Sequence, residues 1–137
     1  MRYLKAFLAG FAATLIFHQG LVALLHGAGY IPRVPYSFAP TAPFGVPQVL
    51  SLAFWGGLWG IPLWMAVRRK NGVNHWLMAL AFGAVLPSLV AWFVVAPLKG
   101  LPLAAGWKPS ALLLGLLLNG AWGLGVAILM KLAGGRR

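Results

Sequence analysis

Residues 54–60 read FWGGLWG, and their last four residues, GLWG, have a near copy in GAWG at residues 120–123. The match extends backwards, since Gly10 and Gly83 each lie in the apolar run that precedes one of these stretches. The pattern predicts a tandem duplicated helical hairpin, a parallel repeat. Chance coincidence is the alternative, because the chain contains 18 glycines and 7 tryptophans.

The composition places the chain among membrane proteins. It is 61% hydrophobic and 8% charged, against soluble averages of about 45–50% and about 25%. Charged residues separate four apolar runs, residues 6–32, 34–67, 71–98 and 109–130. Each run exceeds the roughly 20 residues that a spanning helix needs, and none shows the alternation of a membrane strand. We therefore expect an all-α membrane protein, a single transmembrane domain over residues 1–137, with helices near 5–27, 47–67, 74–96 and 109–132.

The segments between these helices give further expectations. Prolines 32, 35, 40, 43 and 47 exclude a continuous helix over residues 30–47. A short turn after residue 67 makes the second and third helices antiparallel neighbours, with Asn74 as the expected N-cap. Pro87 predicts a kink in the third helix. Arg2 and Lys5 resemble the start of a signal peptide, but the apolar run that follows has full spanning length, which favours a retained helix over cleavage.

The basic residues predict the orientation. Eight of them fall on one side of the predicted bundle: Arg2, Lys5, Arg68, Arg69, Lys70, Lys131, Arg136 and Arg137. Three fall on the other side: Arg33, Lys99 and Lys108. Because basic residues concentrate in short cytoplasmic segments, we expect both termini in the cytoplasm of a bacterium and the proline-rich loop outside its inner membrane.

The chain contains no Asp or Glu and eleven Lys or Arg. The bases lie at the ends of apolar runs, so membrane lipids are the expected partners and nucleic acid is not. Arg33, Lys99 and Lys108 are the candidates for contacting lipid head groups. The absence of Cys excludes disulfides and thiolate metal sites.

Small residues recur at helical spacing and predict close helix packing. The candidates are Gly10, Gly56, Gly57, Gly60, Gly83, Gly115, Gly120 and Gly123. Such packing serves either the bundle itself or association with a second copy or a partner membrane subunit.

Several polar side chains lie within the apolar runs, and they are the candidates for a ligand site or polar pocket. They are His18, Gln19, Gln48, Ser51, Ser88 and Asn119. Polar residues at membrane depth face a bundle interior or a wet cavity. They either bond between helices or, for His18, act in proton relay or ligand binding. We expect no metal, because His18 and His26 are more than two helical turns apart and His75 lies on the opposite side.

No enzymatic activity and no cofactor are expected, since acid–base pairs and hydrolytic triads need carboxylates that the chain lacks. Three functions stay open. The first is a non-enzymatic accessory subunit or homo-oligomeric bundle. The second is a small transporter or channel for a neutral or anionic solute with its polar site around His18. The third is a protein that binds anionic lipid.

The segment FHQG at residues 17–20, with FGVP at 44–47 followed by LSLAFWGGLWG at 50–60, resembles a group of small uncharacterised bacterial inner-membrane proteins. The resemblance implies four transmembrane helices and brings no activity, cofactor or site residue with it.

Overall fold

The computed structural model describes residues 1–42 and 44–134. Pro43 of the proline-rich segment, and Arg136 and Arg137 of the orientation count, lie outside the described residues. The four long helices are α1 (Arg2–Gly27), α2 (Gln48–Val67), α3 (Gly72–Leu98) and α4 (Pro109–Gly134). All four are long and apolar enough to cross a membrane. The prediction of an all-α chain with four such helices is confirmed.

The starts of three helices differ from the expected ones, and α3 and α4 each end two residues later than expected. α1 already begins at Arg2, and α2 begins at Gln48 with Pro47 as its N-cap. α3 begins at Gly72, so Asn71 is the N-cap and the expected cap at Asn74 is wrong. Asn71 makes no side-chain capping bond. The extended backbone of Asn71 therefore starts the helix three residues before the Asn74 cap that the sequence predicted.

Two helices contain a π-helical turn, Thr14–His18 in α1 and Ala91–Val95 in α3. A π turn inserts one residue into the helix, so the side chains after it are rotated by about 100° relative to a regular helix. The turn in α3 follows Pro87, which the helix includes. The face of α1 therefore changes direction near its midpoint, and the face of α3 changes direction towards its C-terminal end.

The helices pack as two hairpins. The most extensive contacts join α1 to α2 and α3 to α4, whereas α2 and α3 touch each other much less. The two hairpins meet mainly through α1 and α4. The weak contact between α2 and α3 leaves room for the cleft described below.

Glycines allow the backbones of α1 and α2 to meet. A Cβ atom on Gly60 would lie 2.5 Å from the Ala6 carbonyl oxygen and 3.0 Å from the Gly10 Cα. A Cβ on Gly10 would collide with the carbonyl oxygen of Gly56. Because backbone atoms cannot yield as a flexible side chain does, only glycine fits this crossing.

The same arrangement occurs in the second hairpin. A Cβ atom on Gly123 would collide with the Ala79 carbonyl and lie 3.0 Å from the Gly83 Cα. A Cβ on Gly83 would lie 2.7 Å from the carbonyl oxygen of Asn119. The other glycines singled out in the sequence face side chains: Gly56 meets Thr14, Gly57 meets Phe7, Gly115 meets Trp92 and Gly120 meets Leu80.

The buried apolar core lies at the end of the bundle that holds the chain termini and the α2–α3 turn. Its members come from all four helices: Ala6, Ala9, Ala13, Leu63, Trp64, Val67, Ala79, Trp122, Val126, Ala127 and Met130. The opposite end carries the two longer loops. In the first of them, β1 (Pro40–Thr41) pairs antiparallel with β2 (Val46–Pro47). The packed core and the looped end thus divide the bundle into a closed half and an open half.

Candidate functional site

A cleft of about 660 Å³ occupies the looped half of the bundle. It draws side chains from all four helices and from the first loop. Its polar lining consists of Thr14, His18, Thr41, Ser51, Lys99 and Asn119, and its aromatic lining consists of Trp55, Trp59 and Trp122. A volume of this size lies within the range of about 300–1,000 Å³ for small-molecule sites.

The cleft exists because α2 and α3 diverge. They are joined by a short turn at the closed end, and the rings of Trp59 and Phe82 meet edge to face with centroids 6.3 Å apart. Beyond that contact, residues from Ser51 to Trp59 of α2 and from Pro87 to Val95 of α3 line opposite walls, and Lys99 lines the cleft just after the end of α3. α1 and α4 supply the wall between them.

His18 stands on the π turn of α1, half-buried. Its Nδ1 lies 3.1 Å from Nε2 of Gln19. An amide nitrogen can only donate, so His18 Nδ1 accepts this bond and the proton of the neutral ring is on Nε2. The Nε2–H donor of a cleft-lining imidazole is thereby available to a ligand.

Gln19 points to the first loop. Its Oε1 accepts a hydrogen bond of 2.8 Å from the backbone N–H of Tyr36, and the Tyr36 hydroxyl donates to the Leu15 carbonyl at 2.6 Å. Tyr36 has a φ of 53°, a left-handed conformation that is unfavourable for a bulky residue and persists when its surroundings enforce it. Two bonds to α1 therefore hold the loop beside the cleft.

Asn119 lines the cleft from α4 and is held from behind. Its Nδ2 donates to Ser88 Oγ at 2.8 Å, and Ser88 is fully buried between α3 and α4. This leaves the carboxamide oxygen of Asn119 as an acceptor, while the Ser51 hydroxyl is a donor and an acceptor across the cleft. The cleft thus offers both kinds of hydrogen-bonding group.

Trp122 and Thr14 meet at the base of the cleft. Trp122 Nε1 donates to the Gly10 carbonyl oxygen at 3.1 Å, and Thr14 Oγ1 donates to the same oxygen at 2.9 Å. Trp122 is 3% exposed. A bond from α4 to the α1 backbone therefore ties the two hairpins together directly below the site.

The six residues that were predicted to form a pocket do not all line the cleft. His18, Ser51 and Asn119 line the cleft. Ser88 lies behind Asn119, Gln19 is turned to Tyr36, and Gln48 is exposed on the loop side and does not line the cleft. One pocket formed by all six residues was therefore the wrong expectation. Three of them line the cleft, and two, Ser88 and Gln19, hold lining residues in position.

The three residues that were predicted to contact lipid head groups do not share one site. Arg33, Lys99 and Lys108 are all exposed, but only Lys99 lines the cleft. Its position just after α3, one helical turn beyond Val95, the last lining residue within that helix, places a cation at the mouth of the site. Arg33 and Lys108 lie on the loops of the same end.

Sequence reasoning missed several lining residues. Trp59 and Trp122 were noted only as part of the GLWG and GAWG repeat, and Thr14, Thr41 and Trp55 were not among the pocket candidates. A usable signal for Thr14 was its position four residues before His18, which puts both on one helical face. The contribution of Thr41 had no comparable signal, because it depends on how the loop folds back.

Within residues 1–42 and 44–134, no three His, Cys, Asp or Glu side chains come together as a metal site. Comparison of the chain with protein-family models, curated proteins and solved structures finds no match. The resemblance to small bacterial inner-membrane proteins stays a prediction. The function of the cleft is therefore inferred from its own residues.

Proposed function

We propose that this chain is a non-enzymatic, multi-pass membrane protein whose cleft binds a neutral or anionic ligand. The observation that carries the proposal is the cleft itself, which gathers His18, Ser51 and Asn119 from three helices below Lys99. Polar groups at membrane depth are costly and are retained where they face a ligand path or one another. Three of them around a single cavity favour a ligand over simple helix packing.

The charge of the site selects the ligand class. Lys99 is a cation at the cleft mouth, and the sequence has no Asp or Glu to neutralise it or to attract a cationic ligand. Electrostatic complementarity therefore favours an anionic or neutral ligand. The same lack of carboxylates argues against acid–base or hydrolytic chemistry in this chain.

The proposed membrane is the bacterial inner membrane, with both termini cytoplasmic. The resemblance of the sequence and the excess of eight bases over three on the terminal side support this orientation. The cleft then opens to the outer face, on the side of the proline-rich loop. A ligand would reach it from outside the cell or from the outer leaflet.

An internal repeat of two helical hairpins is also proposed. Gly60 meets Ala6 and Gly10 just as Gly123 meets Ala79 and Gly83. These are the residues that correspond at spacings of 73 and 63 along the sequence. The repeated contacts favour duplication over chance.

Binding is a better proposal than conduction through one copy. The buried core with Leu63, Trp122 and Val126 fills the bundle below the cleft, so a path across a single copy is blocked. Transport would need rearrangement or a second copy. Trp55, 58% exposed at the cleft edge, favours a second candidate, in which a further copy or partner subunit completes the site.

Native mass spectrometry of the protein, extracted gently from its own membrane, tests the proposal. We expect a co-purifying small molecule that is lost in His18→Asn. The matched control is His26→Asn, a second histidine of α1 whose Nδ1 bonds to the Ile31 carbonyl outside the cleft, and it should retain the ligand.

Equal ligand occupancy in both histidine variants, or no bound small molecule in the natural protein, would contradict ligand binding at this cleft. A foreign subunit present at fixed stoichiometry without a ligand would instead support the accessory role.

A further inference from the structure

The gap between α2 and α3 opens sideways as well as towards the loops. Trp55, Leu58 and Val95 line the cleft, yet they are 58%, 37% and 39% exposed. Side chains that are both lining and exposed lie at the rim of an opening. In a membrane this rim faces lipid chains, because it lies along the spanning part of two helices.

The walls of the cleft are divided by polarity. Apolar side chains line the part near the α2–α3 rim: Leu52, Leu58, Val90 and Val95. The polar groups form the wall of α1 and α4, where His18 and Asn119 lie, and the mouth, where Thr41, Lys99 and Ser51 of the first turn of α2 lie. One half of the cleft thus suits an aliphatic chain and the other half suits a head group with hydrogen-bonding atoms.

The depth of the polar wall indicates the shape of that head group. From the helix rise of about 1.5 Å per residue, His18 lies roughly 13 Å below the end of α1. Lys99 follows the last residue of α3 and Ser51 lies in the first turn of α2. An anionic group at Lys99 therefore leaves room for polar linking atoms that reach the Nε2–H of His18 and the carboxamide of Asn119.

We propose that the ligand is an amphiphilic anion, with an acidic head group on at least one aliphatic chain, which enters the cleft sideways between α2 and α3. The inference rests on the proposed function and names its ligand class. Lys99 pairs with the acidic group, the polar wall bonds to the linking oxygens, and the chain lies along the apolar residues at the rim.

Three probes separate the parts of this proposal. Mono-oleoyl lysophosphatidate carries both the anion and the chain, glycerol 3-phosphate carries the anion alone, and mono-oleoylglycerol carries the chain alone. Each is titrated into the purified protein in a zwitterionic detergent, and bound molecules are counted by native mass spectrometry. We expect one saturable lysophosphatidate, with the other two probes weaker by at least about tenfold, since each lacks one set of contacts.

Lys99→Gln and Lys108→Gln form a matched pair. Both lysines are exposed on the looped end, and only Lys99 lines the cleft. Lys99→Gln should weaken lysophosphatidate binding at least about tenfold, because a charge-assisted bond is lost. Lys108→Gln should change it by less than about twofold, as expected for an exposed charge.

Equal losses in the two lysine variants would overturn the proposal, since they would mean general attraction to a basic surface. Equal binding of glycerol 3-phosphate would also overturn it, while leaving a cleft that binds a soluble anion, as the proposed function allows. Equal binding of mono-oleoylglycerol would remove the anionic requirement. If no probe binds and His18→Asn leaves the co-purified ligand in place, both the ligand class and the proposed function fail.

Discussion

The two hairpins, α1–α2 and α3–α4, share their backbone contacts and differ in their polar groups. In the proposed repeat, Thr14 and His18 of α1 correspond to Pro87 and Ala91 of α3, and Gly56 of α2 corresponds to Asn119 of α4. All six line the cavity. Glycine is required at both backbone crossings, at Gly10 and Gly60 in one hairpin and at Gly83 and Gly123 in the other. By contrast, Thr14, His18 and Asn119 of the cavity wall have no polar counterpart in the other hairpin. The cleft therefore lies where the side chains of the two hairpins differ.

The largest expected effect tests the shared glycine contacts. Gly60→Ala and Gly123→Ala each place a Cβ against a backbone carbonyl of the neighbouring helix. Overpacking that backbone atoms cannot relieve costs about 1–3 kcal/mol. We expect both variants to unfold at lower denaturant concentration, by similar amounts, in equilibrium unfolding in mixed micelles.

Gly20→Ala is the control, because Gly20 lies in α1 with nothing within 4 Å of an added Cβ. It should be neutral or stabilising, by up to about 1 kcal/mol of helix propensity. If Gly60→Ala unfolded at the same denaturant concentration as Gly20→Ala while Gly123→Ala unfolded earlier, the two hairpins would not share the same backbone contact.

The next effect tests where the hairpins differ. Trp122 and Trp59 occupy corresponding positions, but Trp122 donates to the Gly10 carbonyl and Trp59 has no hydrogen bond in the described part of the chain. Trp122→Phe should therefore destabilise the bundle by about 1 kcal/mol more than Trp59→Phe. The same unfolding assay measures both. A larger loss in Trp59→Phe would show that the link between hairpins runs through its contact with Phe82 instead.

The smallest effect concerns the loop of the first hairpin. Tyr36→Phe removes the bond to the Leu15 carbonyl but keeps the backbone bond to Gln19. Because Tyr36 is 41% exposed, the loss should be about 0.5 kcal/mol, near the lower end for a hydrogen bond. Faster amide exchange over residues 30–42 is the expected result. Tyr30→Phe, in the same loop and 78% exposed, should leave exchange unchanged; equal acceleration in both variants would rule out a specific tie at Tyr36.

The sequence was sufficient for part of the site. His18 and Asn119 were predicted to share a pocket because both lie deep in apolar helices, and depth follows from position along a helix. Gln19 was grouped with His18 by depth alone, although consecutive helical residues point about 100° apart. That Gln19 turns towards the loop depends on where the Tyr36 backbone N–H lies, which the sequence pattern does not show. Lys99 was placed at the membrane surface, as its position after the last helical turn indicates, but its membership of the cleft depends on the divergence of α3.

What the sequence by itself determined is the number of the helices and, to within three residues at each end, their extent. An apolar run of sufficient length satisfies its own backbone hydrogen bonds as a helix, and this requirement is local to each run. The tertiary structure alone decided which polar side chains share a cavity. That outcome depends on how closely the glycines let each pair of helices approach and on the direction in which α2 and α3 separate beyond Trp59 and Phe82. Both depend on contacts between segments that are distant in sequence, so the residue pattern within one segment cannot predict them.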